Sequence, residues 1–502
     1  MAVRAFLMAA SARAANVMLL VLRTKLIAQL LGPEGIGLLG LYSSVQEILA
    51  QSADGGLSHS AVRQVAVDRN RPARIGTLRR ALFLAVTVAA VLGAAVVWLV
   101  RDHLAIRLTD DPALAFEFGI LGLGVALTVL FRWRQSLLSG YRAVGNLARA
   151  VVLGTVLATI AGLVAVWLLG REGIIWAVVA VPFFSLLMTL RAPLPKVPEQ
   201  RTRRGLLFMT VAWRRLFRLG FALMLIALLT LAVPMILRVW LIHVGGLAEA
   251  GLFQAVWVIS AHVMTVLMTS VAMDFYPALS VAASDPGESR RLINLQCRVH
   301  LVFGAPVVLA VISLAPVLLI LLFSQEFAVA AALLQWQMLA LVLRLIAVPA
   351  ETLLTAQARP WPVFLLHAVV QGATLLLAVH IYSVHGLAGI GIAHVMGGVL
   401  HLVLLGLILR QGKGATGQRV VWTWSVLVRA GGLASLSLLL IMGHAISPAA
   451  AAVAGCTVTG LAAVPCLLLM FGSLPAQSRL RRSLSAGISK AEAKIARIPA
   501  SI

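Results

Sequence analysis

The sequence predicts an all-α, polytopic membrane protein of fourteen transmembrane helices, built as two six-helix halves plus a C-terminal pair. Three observations carry that prediction. Of 502 residues, 61% are apolar and only 12% charged, about half of the roughly 25% charge that a soluble domain uses to solvate its surface. Apolar runs bounded by glycine, proline and charge clusters recur fourteen times along the chain, and a bilayer core takes about 20 such residues per helix. Short sequence matches also return at one nearly constant offset, the signature of an internal repeat. Water-soluble globular, disordered and fibrous classes are thereby excluded.

In chain order the predicted spans lie near 6–30, 37–65, 81–100, 113–138, 147–169, 173–190, 217–243, 250–276, 299–323, 327–356, 362–383, 387–409, 426–445 and 449–472. The first two carry ionisable residues, whereas the last two are plain and well bounded. Lys and Arg number 41 against 17 Asp and Glu, a net charge of +24. With the N-terminus placed inside, 29 of the 41 basic residues fall in the inner connections and tail, and only Arg101, Arg107 and Arg171 fall outside. That asymmetry predicts both termini in the cytoplasm. The positive excess is therefore topological, and nucleic acid is not an expected partner.

These boundaries divide the chain into an N-terminal lobe over 1–216, a C-terminal lobe over 217–410, a helix pair over 411–472 and a tail over 473–502. The lobe-joining segment 191–216 opens as a stiff, proline-rich basic linker. In the tail, Leu480, Leu484, Ile488, Ala491, Ile495 and Ile498 fall on one helical face with Lys and Arg opposite, predicting an amphipathic helix on the membrane surface. Three cysteines without paired spacing imply no disulfide framework or metal site. No glycine-rich nucleotide loop, phosphate loop or zinc-protease motif occurs, so neither a cofactor nor an enzymatic activity is expected.

The repeat locates a candidate site. Leu22-Arg23-x-x-Leu26-Ile27 returns as Leu237-Arg238-x-x-Leu241-Ile242, and Glu34 as Glu249, both at an offset of 215. Gly37-Leu38 returns as Gly251-Leu252 at 214, and Gly173-Ile174 as Gly389-Ile390 at 216. Six spans separate the copies, so the repeats run parallel, a transporter plan with the substrate between the halves.

Within an apolar bundle, polar residues on that cleft stand out. On the first span Arg13, Asn16 and Arg23 share one face. On the second, Ser44, Glu47, Gln51, Asp54 and Ser58 recur at helical spacing, reading as an unbroken polar stripe. Arg23 and Arg238 are repeat mates, and guanidinium groups converging in a partly dry cleft suit a phosphate or diphosphate. Arg63 and Arg344 are further candidates. Glu351 follows Arg344 by seven residues on the same face, where the two either bridge each other or line the cleft. Glu47, Asp54, Asp274 and Glu351 are the candidate acids for coupling to an ion, H+ or Na+. Arg4, Lys25, Arg132 and Arg134 read as snorkelling or privately paired, and the histidines, His394 and His401 among them, as ordinary buried residues.

The residues also carry a resemblance. Leu31-Gly-Pro-Glu-Gly-Ile-Gly-Leu38 followed by Asp54-Gly-Gly-Leu-Ser58 resembles the start of polysaccharide transporters of the MOP (multidrug/oligosaccharidyl-lipid/polysaccharide) superfamily. Ala250-Gly-Leu-Phe-Gln-Ala-Val-Trp257, Met273-Asp-Phe-Tyr-Pro277, Ser324-Gln-Glu-Phe327 and Gly386-Leu-Ala-Gly-Ile-Gly-Ile-Ala393 are similar to O-antigen translocases. The resemblance spans about 20–410. It implies a MATE-like fold that alternates between inward- and outward-facing states in a bacterial inner membrane. It also implies flipping of an undecaprenyl-diphosphate-linked oligosaccharide, driven by an ion gradient. A MATE-type drug exporter is the alternative within transport. A membrane-embedded enzyme of glycan assembly is the alternative outside it, disfavoured by the lack of a large outer loop.

Overall fold

The computed structural model describes residues 2–68, 72–194, 206–357, 360–411 and 422–473. Every regular element among them is helical. Chain order runs α1 (Ala2–Asp54), α2 (Leu57–Asp68), α3 (Pro72–Thr109), α4 (Ala115–Gly140), α5 (Val144–Leu169), α6 (Gly173–Arg191) and α7 (Leu206–Ala282). It continues with α8 (Pro286–Ser313), α9 (Ala315–Leu322), α10 (Ala331–Ala356), α11 (Pro360–His385), α12 (Leu387–Gln411), α13 (Trp424–Ile446) and α14 (Pro448–Ser473). Nine segments of the described helices are long and apolar enough to cross a membrane, and the chain is a multi-pass membrane protein. The predicted amphipathic tail lies outside the described residues.

The predicted apolar runs are helical almost throughout, interrupted at Gly55-Gly56 and at Leu314, but helices and runs are not one to one. The first run and most of the second share α1, and the seventh and eighth share α7. Each long helix turns back at a glycine, Gly32 (φ 62°, ψ −161°) in α1 and Gly246 (φ 80°, ψ 179°) in α7. A Cβ is disfavoured in that region of conformational space, so only glycine reverses the chain there without strain. The two glycines stand 214 residues apart, the offset at which Gly37 and Gly251 repeat. The turns before α6 and α12 match in the same way, with positive-φ glycines at Gly170 and Gly386.

Packing follows the repeat. α3 pairs with α4 and α5 with α6 in the first half; α10 and α11 both pair with α12 in the second, while α8 gathers α10, α13 and α14. Contact between the halves is carried mainly by α1 against α7. Near the two bends the backbones touch. A side chain on Gly37 would overlap the Leu247 carbonyl oxygen, and one on Gly251 the Pro33 carbonyl oxygen. Repeat-related glycines thus supply the closest approach of the halves, as small residues do wherever membrane helices meet without a hydrophobic driving force.

Candidate functional site

The arginines of the spans separate into two groups once their partners are known. Arg132 of α4 donates to Gln51 Oε1 (2.8 Å) and to the Glu47 carboxylate on α1. Arg134 donates to the carbonyls of Thr189 (2.9 Å), Leu190 (3.2 Å) and Ala192 (2.8 Å). Those carbonyls end α6, where a helix terminus leaves acceptors open. Arg238 is 1% exposed. Its two terminal nitrogens donate to Ser44 Oγ on α1 and to Gln254 Oε1 beyond the α7 bend. It therefore ties the halves together, and in this state it is not open to a ligand, contrary to the sequence expectation.

Arg23 and Arg344 form the second group. Arg23 is 6% exposed and has no hydrogen-bond or ion-pair partner among the described residues. A buried cation left unpaired at membrane depth costs several kcal/mol unless a ligand, a counter-ion or water compensates it. Beside it on α1, Val21 and Thr24 line an apolar crevice of about 230 Å³ that is closed by Ile259 and His262 of α7, Leu318 of α9 and Phe323. Arg344 is exposed, although α10 is the most enclosed of the nine apolar segments and packs against α7, α8, α11, α12 and α13. Arg344 is thus an exposed cation on a largely buried helix. Arg344 likewise has no hydrogen-bond or ion-pair partner among the described residues.

The candidate acids are mostly engaged. The stripe from Ser44 to Ser58 is not one helical face, because α1 ends at Asp54 and Gly55-Gly56 adopt positive φ before α2. Asp54, 1% exposed, accepts from Ser58 N (3.2 Å) and Ser58 Oγ (2.5 Å). It therefore caps α2 and does not line the cleft. Glu47 is neutralised by Arg132. Glu351 does not bridge Arg344; it accepts from His367 Nε2 at 2.7 Å and faces His401 Nε2 at 3.4 Å. The side chains of Arg13, Asn16, Arg63 and Asp274 lie outside the described residues. His367 had no local signal in the sequence, since it meets Glu351 from another helix. His401, read as ordinary, sits seven residues after His394 on α12.

The chain matches the polysaccharide biosynthesis protein family over residues 26–332. No curated protein matches it. Among solved structures it resembles the lipid II flippase MurJ in an inward closed conformation, with a TM-score of 0.65 and 12% identity, covering 92% of this chain and 100% of that one. It also resembles an inward-facing multidrug resistance MATE transporter of the MOP superfamily, with a TM-score of 0.66 and 16% identity over 83% of this chain and 95% of the other. A MOP superfamily transporter from Pyrococcus furiosus, described by a binding pocket of reversed polarity, matches with a TM-score of 0.57 and 15% identity over 86% and 94%. These proteins are transporters rather than enzymes, and at such identities the likeness is one of fold. The chain belongs to the polysaccharide biosynthesis protein family and has the fold of the MOP superfamily transporters.

Proposed function

We propose that the protein is a secondary-active flippase that moves an undecaprenyl-diphosphate-linked oligosaccharide, an O-antigen or related surface polysaccharide unit, across the bacterial inner membrane. The observation that carries this reading is Arg23, buried beside the crevice between α1 and α7 with no hydrogen-bond or ion-pair partner among the described residues. A planar cation in a partly dry site grips a diphosphate in bidentate fashion, and Arg344 supplies a second open cation. Arg13 and Asn16 join them from the polar face of the first span, and Arg63 from near the inner mouth of the second. The apolar crevice of about 230 Å³ beside Arg23 has room for only the first isoprene units, and the rest of the polyprenyl tail trails in lipid between the halves.

In this reading the chain crosses the membrane fourteen times with both termini inside, as the 29:3 split of basic residues favours. The lobes are 1–216 and 217–410, with helices at 411–472 and the tail beyond as additions. The head group enters from the cytoplasm, pairs with Arg23 and Arg344, and is presented outward when the lobes rock about the α1–α7 contact. That motion must part Arg238 from Ser44.

The test is transport in proteoliposomes of a fluorescently labelled polyprenyl-diphosphate oligosaccharide by the full chain. Wild type scrambles the label to the outer leaflet, and Arg23→Ala does not. Full activity of Arg23→Ala at equal reconstitution removes Arg23 from the site. Wild type that ignores the lipid yet accumulates a cationic dye favours a MATE-type exporter instead.

A further inference from the structure

The cluster of Glu351, His367 and His401 is left over by the head-group chemistry. It gathers one residue from each of α10, α11 and α12, at the heart of the second half. Both histidines are buried, at 9% and 7% exposure, and their rings stand edge to face with centroids 5.5 Å apart. His367 Nε2 donates to one carboxylate oxygen at 2.7 Å. His401 Nε2 faces the other oxygen at 3.4 Å, yet it makes no hydrogen bond and is shut off from solvent.

We propose that this cluster is a proton-binding site, and that it couples transport to a proton gradient. With both imidazoles neutral the cluster carries one negative charge in a low-dielectric interior, which is costly. Uptake of one proton from water forms an N–H bond on an imidazole and makes the cluster neutral as a carboxylate–imidazolium pair. His401 is where the gain is largest. In the neutral tautomer with its proton on Nδ1, the Nε2 lone pair is repelled by the carboxylate oxygen, and a protonated Nε2 is held. The proton leaves by the reverse step to water on the other side, so atoms and charge balance without a further reactant.

The surroundings restrict the ligand to a proton. A hard cation such as sodium, magnesium or calcium wants several oxygen ligands, whereas two of the three groups here are nitrogens. Among the described residues no three His, Cys, Asp or Glu converge as a metal site requires. α7, α8 and α13 also pack on α10, and none brings a charged group to ion-pair distance of Glu351 among the described residues. On α8 His300 turns instead to the Leu345 carbonyl, and on α12 His394 bonds the Ile390 carbonyl. The remaining charge nearby is Arg344, two turns back along α10 or about 10 Å, within the carboxylate's field. A change of charge at the cluster is thereby felt at the open guanidinium.

The coupling half of this inference rests on the transport reading; the proton-binding half does not, and the experiment separates them. In nanodiscs holding the full chain with 13C-labelled histidine, the His367 and His401 ring signals share one pH transition, as coupled sites do. Glu351→Gln moves that transition by more than about one pH unit, and His401→Asn alters the His367 curve. Independent, unchanged titration of the two rings in Glu351→Gln overturns the site whether or not the protein flips lipid. In proteoliposomes with the labelled polyprenyl-diphosphate oligosaccharide, a pH gradient accelerates wild type, and Glu351→Gln loses that acceleration by about tenfold. Transport that answers to a sodium gradient and not to pH overturns the coupling while leaving the flippase reading intact. No transport by wild type under any gradient refutes the flippase reading and with it the coupling.

Discussion

Arg23 and Arg238 occupy matching places in the two halves, yet one has no partner among the described residues and the other is held through both of its terminal nitrogens. The difference lies in the residues that meet them. Arg238 is held by Gln254 of its own half and by Ser44 of the other. Carried through the repeat at the local offset of 214, those partners become Gly40 and Val258. Neither offers a polar side chain. Gly40 has no side chain at all, and Gln254 fills the space beside it, so a Cβ on Gly40 would press into the Gln254 amide at 2.7 Å. A duplicated scaffold thus yields an asymmetric pair: one arginine became a tie between the lobes through two neutral acceptors, and its twin keeps its donors unengaged among the described residues. Symmetric folding and asymmetric chemistry are compatible because helix packing is set by glycines and apolar runs, whereas charge pairing depends on single substitutions.

The largest way to break this comparison is Arg23→Ala. Transport of the labelled lipid falls on the order of 100-fold, in line with loss of a charge-assisted contact worth about 3 kcal/mol, while thermal stability holds or rises. Arg238→Ala has the opposite profile. It strands Ser44 Oγ and Gln254 Oε1 and lowers unfolding stability by about 2 kcal/mol. Arg238→Met strands the same two groups but keeps most of the volume, and it loses about 1 kcal/mol, less than Arg238→Ala. Thermal denaturation of the three variants side by side checks the pattern, and a stability loss in Arg23→Ala equal to that in Arg238→Ala erases the proposed asymmetry.

Gly251→Ala probes the contact on which both arginines depend. Its added methyl meets the Pro33 carbonyl, so α1 and α7 must separate, at a cost of about 1–3 kcal/mol. Loss of a disulfide engineered between the two bends reads that separation directly. The smallest effect is expected for Val258→Ser, which gives Arg23 the hydroxyl that Arg238 already enjoys. A hydrogen bond worth about 1 kcal/mol would compete with the ligand, and lipid transport should fall by about fivefold.

Much of the fold was legible in the sequence. Fourteen apolar runs mark where helix occurs, and the matches at 214–216 residues mark two parallel halves; the bends at Gly32 and Gly246, 214 residues apart, follow the same offset, because a backbone that only glycine adopts leaves a glycine in both copies. Less of the site was legible. Local spacing joined Ser58 to the stripe of Ser44, Glu47, Gln51 and Asp54, but the Gly55-Gly56 break turns Asp54 into a cap for α2. Spacing also paired Arg344 with Glu351, whereas the carboxylate is taken by His367 and His401 from two neighbouring helices. Arg132, read as snorkelling or privately paired, is privately paired, but its partner Glu47 comes from α1, which spacing along α4 could not name. Each of these pairings crosses between helices. Periodicity along one helix places a side chain on a face, but packing decides what that face meets.

The central claim is that the bare charge of Arg23 awaits a diphosphate. Its most direct test is the thermal shift that a short polyprenyl diphosphate, farnesyl diphosphate, produces in the purified full chain, because a ligand bound only by the folded state raises its stability. Wild type and Arg238→Met are predicted to be stabilised by the diphosphate, and Arg23→Ala is predicted not to respond. An equal shift in Arg23→Ala and wild type would contradict the account.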